Sequence, residues 1–99
     1  MRISKFVSVR SMTSNSGNTN PNHQIITEPH GEVMVSYGTK ICFMSFDRNK
    51  EGKKRIILDE NYWDYSTTTG RFRNQFLGMG IQECREGIKD GSIELSNLN

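Results

Sequence analysis

The residues best suited to chemistry lie in one segment, residues 61–77, whose sequence is NYWDYSTTTGRFRNQFL. The segment combines aromatic side chains with arginines, and these residue types supply much of the binding energy at protein interfaces. The same rings can stack on nucleic-acid bases, and the arginines can pair with phosphates. The sequence therefore predicts a partner-binding site formed by five residues: Tyr62, Trp63, Tyr65, Arg71 and Arg73.

A helix that begins in the Ser/Thr cluster of this segment, residues 66–69, adds a second way to bind an anion. Free backbone amides and a partial positive charge at a helix N-terminus attract phosphate groups. A capped helix whose aromatic side chains pack in the core explains the same residues without any ligand. It is the simpler explanation, because capping alone accounts for the cluster.

A second candidate segment is the basic stretch at residues 47–54, DRNKEGKK. Its cations could contact phosphates, and the candidates for nucleic-acid contacts are Arg48, Lys50, Lys53 and Lys54. A solvated hairpin tip explains the same charges. From residue 32 to 99 there are ten basic and ten acidic residues. This neutral body argues against a dedicated duplex-DNA binder, which usually carries a basic excess on one face.

Catalytic chemistry has little support in the sequence. His23 and His30 lie in or near a polar stretch, and a general base needs a fixed position. Asp59, Glu60 and Asp64 could hold a metal ion, but short acidic turns are commonly just solvated. No P-loop, nucleophile elbow or metal-ligand motif is present. We therefore expect a protein that is not an enzyme and has no cofactor, and a metal-dependent enzyme stays as a third hypothesis.

The strands that would support these segments follow from hydrophobic periodicity. Val33, Val35 and Tyr37 alternate with Met34, Ser36 and Gly38, and this period of two indicates a strand. Residues 41–46 are apolar on both faces, which is typical of a central or covered strand. A polar turn follows and residues 55–58 resume the pattern, so residues 41–58 predict a hairpin.

The helical region contains two apolar sets of residues. One set is spaced four, three and four residues apart: Leu77, Ile81, Cys84 and Ile88. The other lies about 130° away around a straight helix: Phe72, Phe76 and Met79. A break at Gly78 and Gly80 would let both sets reach one core. If the second set is exposed instead, it predicts an apolar patch for a partner or a homodimer.

The 99 residues fit one domain with a modest core, because the apolar content is only 33%. Apolar residues are sparse before Glu32, which predicts a polar, mobile arm at residues 1–31 and a compact domain at residues 32–99. The order of elements predicts an α+β fold. We expect a small antiparallel sheet of about three to four strands, with one kinked helix or two short helices on one face.

The sequence also bears on location. No apolar run reaches the length of a membrane span, so we expect no membrane partner. The first nine residues are too short and too polar for a signal peptide, so we expect a cytoplasmic protein.

Two stretches, SYGTKI at residues 36–41 and YSTTT at residues 65–69, are followed by RNQFL at residues 73–77. Together they resemble a domain of unknown function in small phage and mobile-element proteins, over roughly residues 33–77. The resemblance implies a phage-like origin, and the host cytoplasm as location, without assigning an activity or site residues. Small phage proteins without catalytic residues often disable a host protein, as anti-CRISPR proteins do with defence nucleases.

Two main hypotheses follow. The first is an interaction protein that binds, and inhibits, a host macromolecule such as a defence nuclease. The second is a small nucleic-acid-binding protein that uses the helix start and the basic hairpin tip.

Overall fold

The structure of the protein is a computed structural model that describes residues 8–14 and 16–99. These residues form a six-stranded sheet and two helices. In chain order the elements are β1 (Ser8–Thr13), β2 (Thr19–Thr27), β3 (Gly31–Ser36), β4 (Thr39–Arg48), β5 (Lys54–Asp59), α1 (Thr67–Leu77), α2 (Ile81–Asp90) and β6 (Ile93–Ser96).

The strands lie in the sheet in the same order as in the chain. Strands β1 to β5 form an antiparallel meander, and β6 pairs with β5 in parallel. A parallel pair needs a long crossover connection, which α1 and α2 supply. The predicted α+β class with two short helices is confirmed. The prediction of about three to four strands was wrong, because the sheet of the described residues has six.

The two strands at the start of the meander come from the segment predicted as a mobile arm. Strands β1 and β2 lie within residues 8–27, and β2 pairs with β3 in continuous register from His23 to Thr27. Their sequences are polar, but pairing satisfies the backbone, and Met12 and His23 are buried in the folded chain. Residues 8–14 and 16–27 therefore belong to or adjoin the sheet, whereas residues 1–7 of the predicted arm lie outside the described residues.

The core lies between the sheet and the two helices, which contribute to one buried cluster. A bulge opposite Met34 and Val35 brings the consecutive residues Ile41 and Cys42 into this cluster, although successive side chains of a regular strand point to opposite faces. The other cysteine, Cys84, is buried in the same cluster. Burial raises the pKa of both thiols.

The predicted helix break is confirmed. Ser66 caps α1 through its side chain, and Gly78 ends the helix in the left-handed conformation that glycine adopts readily. The helix α2 begins directly after Gly80. The break lets both apolar sets reach the core: Phe72 is buried, whereas Phe76 and Met79 are half-buried and pack against the cluster. Phe72 is thus not the exposed contact that the homodimer hypothesis needs.

Candidate binding surface

All three tyrosines of the chain are exposed, and they lie together at one end of the sheet. Tyr37 lies in the turn between β3 and β4, and Tyr62 and Tyr65 lie in the loop between β5 and α1. The rings of Tyr62 and Tyr65 meet edge to face at a centroid distance of 5.8 Å. The hydroxyl of Tyr65 is 3.4 Å from Oγ of Ser36, the residue before Tyr37. We call these three residues the tyrosine surface.

Tyr37 has an unusual backbone conformation. Its φ is +51°, and it is the one residue other than glycine with a positive φ among residues 8–14 and 16–99. With Gly38 at φ +80°, it forms a two-residue hairpin loop with the two positive φ angles of a type I′ turn. Asn, Asp or Gly usually occupies such a position, and a bulky residue there costs on the order of 1–2 kcal/mol. Tyr37, whose backbone adopts this unfavourable conformation, is 64% exposed.

A buried polar network lies directly beneath the tyrosine surface. The imidazole Nε2 of His23 is 3.1 Å from Oγ of Ser36, which is 2.9 Å from Oγ1 of Thr69. The His23 ring stacks on Phe72 at 4.2 Å, and the ring of Tyr37 meets it edge to face at 5.5 Å. These contacts join β2, β3 and α1 at the point where the tyrosines emerge.

His23 is fully buried, and its Nδ1 atom has no hydrogen-bond partner among the residues that the structure describes. Burial removes water from the imidazole and thereby lowers its pKa from the ordinary value of 6.5. The neutral ring is therefore the form that the fold favours near neutral pH.

Arg73 and Trp63 fix the loop that carries two of the tyrosines. Arg73 is 1% exposed, and its Nη1 donates to the carbonyl oxygen of Trp63 at 2.7 Å. Its guanidinium also lies 5.3 Å from the centre of the Trp63 ring and 3.6 Å from a carboxylate oxygen of Asp64. Arg73, which the sequence predicted to contact a partner, is thus buried beneath the loop instead of exposed. Trp63 is half-buried against the core.

Arg71 lies elsewhere. It is exposed, and it lines a groove of about 630 Å³ between α1 and the loop that joins β1 to β2, together with Ser14, Ser16 and Thr68. Of the five residues predicted to bind a partner, only Tyr62 and Tyr65 therefore belong to the tyrosine surface. Arg71 presents a separate cation on another side of α1.

Two of the three acidic residues considered for a metal site, Asp59 and Asp64, bond to other groups of the chain. The buried carboxylate of Asp59 accepts hydrogen bonds from the backbone amides of Asn61, Tyr62 and Leu98 and from the side-chain amide of Asn99. Asp64 bridges Arg73 and Arg85, which lie on α1 and α2. Within the described part of the chain, no three His, Cys, Asp or Glu side chains are grouped as a metal site would require.

The basic hairpin tip between β4 and β5 lies at the far end of the sheet. We use this name for the four predicted cations Arg48, Lys50, Lys53 and Lys54, of which the first three are exposed and Lys54 is half-buried. From Thr39 to Arg48, β4 spans about 30 Å at ~3.3 Å per residue. The tip and the start of α1, predicted to bind nucleic acid jointly, thus lie at opposite ends of the sheet.

Sequence reasoning missed Tyr37 and the buried network. A signal for the turn was present, because Tyr37-Gly38 separates two apolar stretches, as a two-residue hairpin loop does. His23 and Ile25 are two residues apart, which places them on the same face of a strand. The pairing of Ser36 with Thr69 crosses 33 residues, and no local pattern predicts it.

The chain matches a family described as a family of unknown function, DUF8033, over residues 7–94. The chain belongs to this family. The match includes all three tyrosines, as well as β1 and β2, so the expected uncharacterised domain is confirmed and extends further toward the N-terminus than residue 33. No curated protein and no solved structure matches the DUF8033 chain significantly.

One finding bears on membranes. Neither helix of the described DUF8033 residues has the length and apolar character needed to cross a bilayer.

Proposed function

We propose that this DUF8033 protein is a non-enzymatic binding protein that contacts a protein partner through the tyrosine surface. The observation that carries the proposal is the convergence of three exposed tyrosines, one of them at a costly positive φ, on one end of the sheet. Strained residues persist only where the surrounding structure determines them, and they cluster at functional sites. Tyrosine offers a large contact area and a hydroxyl at a small entropic cost.

The base of the tyrosine surface supports this role. The network of His23, Ser36 and Thr69 holds Tyr37 and Tyr65, while Arg73 holds the backbone at Trp63, between Tyr62 and Tyr65. A surface that is fixed before binding loses less conformational entropy when it meets a partner. This arrangement favours a rigid recognition site for a folded protein.

The identity of the partner is proposed from the resemblance to small phage and mobile-element proteins. Its two motif stretches, at residues 36–41 and 65–69, meet at the tyrosine surface through the contacts of Ser36 with Tyr65 and Thr69. We therefore propose a phage-type protein that acts in the host cytoplasm, where it binds a host protein such as a defence nuclease and inhibits it.

The test is capture of a partner from a lysate of candidate host bacteria, before and after nuclease treatment. We expect the wild-type chain to retain a protein partner after nuclease treatment. Replacing Tyr65→Ala or Tyr37→Ala should weaken binding of that partner by about 30-fold or more, the loss of a hot spot worth ~2 kcal/mol. The matched control is Arg71→Gln, which removes an exposed side chain outside the surface and should retain binding.

Circular dichroism of each variant checks that the fold is intact. Equal binding by folded Tyr37→Ala, Tyr65→Ala and wild-type chains would contradict the proposal. A partner that is lost on nuclease treatment, with an affinity that falls steeply with salt and depends on Lys50 and Lys53, would favour the nucleic-acid hypothesis instead.

A further inference from the structure

His23 occupies a position in which a proton would be disruptive. Its ring lies between Phe72 on one side and the edge of Tyr37 on another, and Nε2 contacts the Ser36 hydroxyl. The second ring nitrogen, Nδ1, is buried and has no hydrogen-bond partner within residues 8–14 and 16–99. A protonated imidazole carries a hydrogen on both nitrogens, so Nδ1 would become a charged donor without an acceptor.

Among the described residues, burial alone lowers the pKa of His23, and no anionic group contributes to the shift. The ring contacts Ser36 at the end of β3, Tyr37 in the following turn and Phe72 on α1. Through Ser36 it is connected to Thr69 and Tyr65. The titratable members of this set are the two tyrosines, and a phenol is an uncharged group near neutral pH. The charged residue next on α1, Arg73, is a cation and is already paired with Asp64.

We propose that His23 makes the tyrosine surface pH-sensitive: a proton on its imidazole loosens the contacts of Ser36 with Tyr65 and α1 and thereby disorders the surface under mildly acidic conditions. The consequence for partner binding rests on the function proposed above. The structural change itself does not, since it concerns contacts within the chain.

The direction follows from burial. Burial lowers the pKa of His23 below its value in the unfolded chain. The contacts of the neutral ring therefore stabilise the fold in full above pH 6.5. This contribution is lost progressively as the pH falls below 6.5. One linked proton can lower the affinity for a partner by at most about tenfold for each pH unit.

The experiment is an NMR titration of the isolated chain from pH 8 to pH 4, with the rings of histidine and tyrosine labelled. The two histidines provide an internal comparison, because His30 is exposed and His23 is buried. We expect the titration midpoint of His23 to lie below the ordinary value of 6.5, because its ring is buried. The ring signals of Tyr37 and Tyr65 should shift with the midpoint of His23, and those of Tyr62 should shift less.

A pair of variants separates the two histidines. His23→Gln keeps a neutral hydrogen-bonding group near Ser36 and should abolish the shifts of the tyrosine signals, whereas His30→Gln should retain them. Tyrosine signals that stay constant while His23 titrates in the wild-type chain would overturn the proposal, whether or not His23→Gln folds. The two proposals can fail separately. If the tyrosine signals shift with His23 but the Tyr37→Ala variant binds its partner normally, the pH switch is supported and the proposed binding surface is rejected.

Discussion

The two ends of the sheet present side chains in different ways. At one end, three tyrosines emerge above buried side chains that come from β2, β3 and α1. At the other end, the basic hairpin tip is held by bonds within its own few residues. Arg48 donates to the carbonyl oxygen of Gly52, and the side chain of Asn49 accepts from the amides of Glu51 and Lys53.

The core therefore fixes the position of the tyrosine surface, whereas solvent surrounds the basic hairpin tip. Exposed charges on a short turn keep their water and their conformational freedom, and they contribute little to stability or to specific recognition. Aromatic rings above a buried network are fixed by groups that cannot move without disturbing the core. Substitutions beneath the tyrosines should therefore destabilise the fold, whereas those at the tip should not.

The largest expected effect is at Arg73. Arg73→Met should lower the free energy of unfolding by about 2–3 kcal/mol, because it leaves the Trp63 carbonyl and Asp64 without the buried cation. Urea unfolding followed by the fluorescence of the single tryptophan, Trp63, measures this change. Arg71→Met is the matched control on the exposed side of α1 and should stay within about 0.5 kcal/mol of wild type. Equal stability of the two variants would show that the buried Arg73 does not stabilise the loop beneath the tyrosines.

A smaller loss is expected at Ser36. Ser36→Ala should cost about 1–2 kcal/mol, because His23 and Thr69 both lose a buried hydrogen-bond partner. The control is Ser11→Ala at an exposed position of β1, which should lower the free energy of unfolding much less. Thermal unfolding of the two variants at pH 7.5 gives the comparison. A loss at Ser36 no greater than that at Ser11 would show that the buried network does not stabilise the fold.

The smallest effect is expected at the hairpin tip. Replacing Arg48 and Lys50 together by glutamine should change the free energy of unfolding by less than about 0.5 kcal/mol. The same urea titration at low and high salt measures it. A large loss at this site would mean that the tip contributes to the folded state beyond its own turn, and the comparison between the two ends would fail.

The features that the sequence predicted correctly depend on local chemistry. A helix cap within the Ser/Thr cluster at residues 66–69, the break at Gly78 and Gly80, and the hairpin at residues 41–58 each follow from residues close together in the chain. The first two strands were missed, because β1 and β2 are polar sequences whose pairing depends on the rest of the sheet.

The binding surface was predicted only in part for the same reason. Tyr62 and Tyr65 belong to the segment that composition singled out, but Tyr37 joins them across the fold through Ser36. Arg73 has the residue type of an interface contact, and only the packing of α1 against Trp63 shows that it is buried. Residue type indicated the region, whereas distant contacts determined which side chains face outward.

The position of Asn99 has a practical consequence for laboratory work. Its side chain exchanges hydrogen bonds with the backbone of Lys40, two residues after Gly38, and also donates to Asp59. Any residues joined to Asn99, whether an affinity tag or further chain, therefore emerge beside the tyrosines. Immobilising the protein through that end on a sensor chip would crowd the surface under study, so a label at a cysteine introduced at the hairpin tip, about 30 Å away along β4, is the better choice.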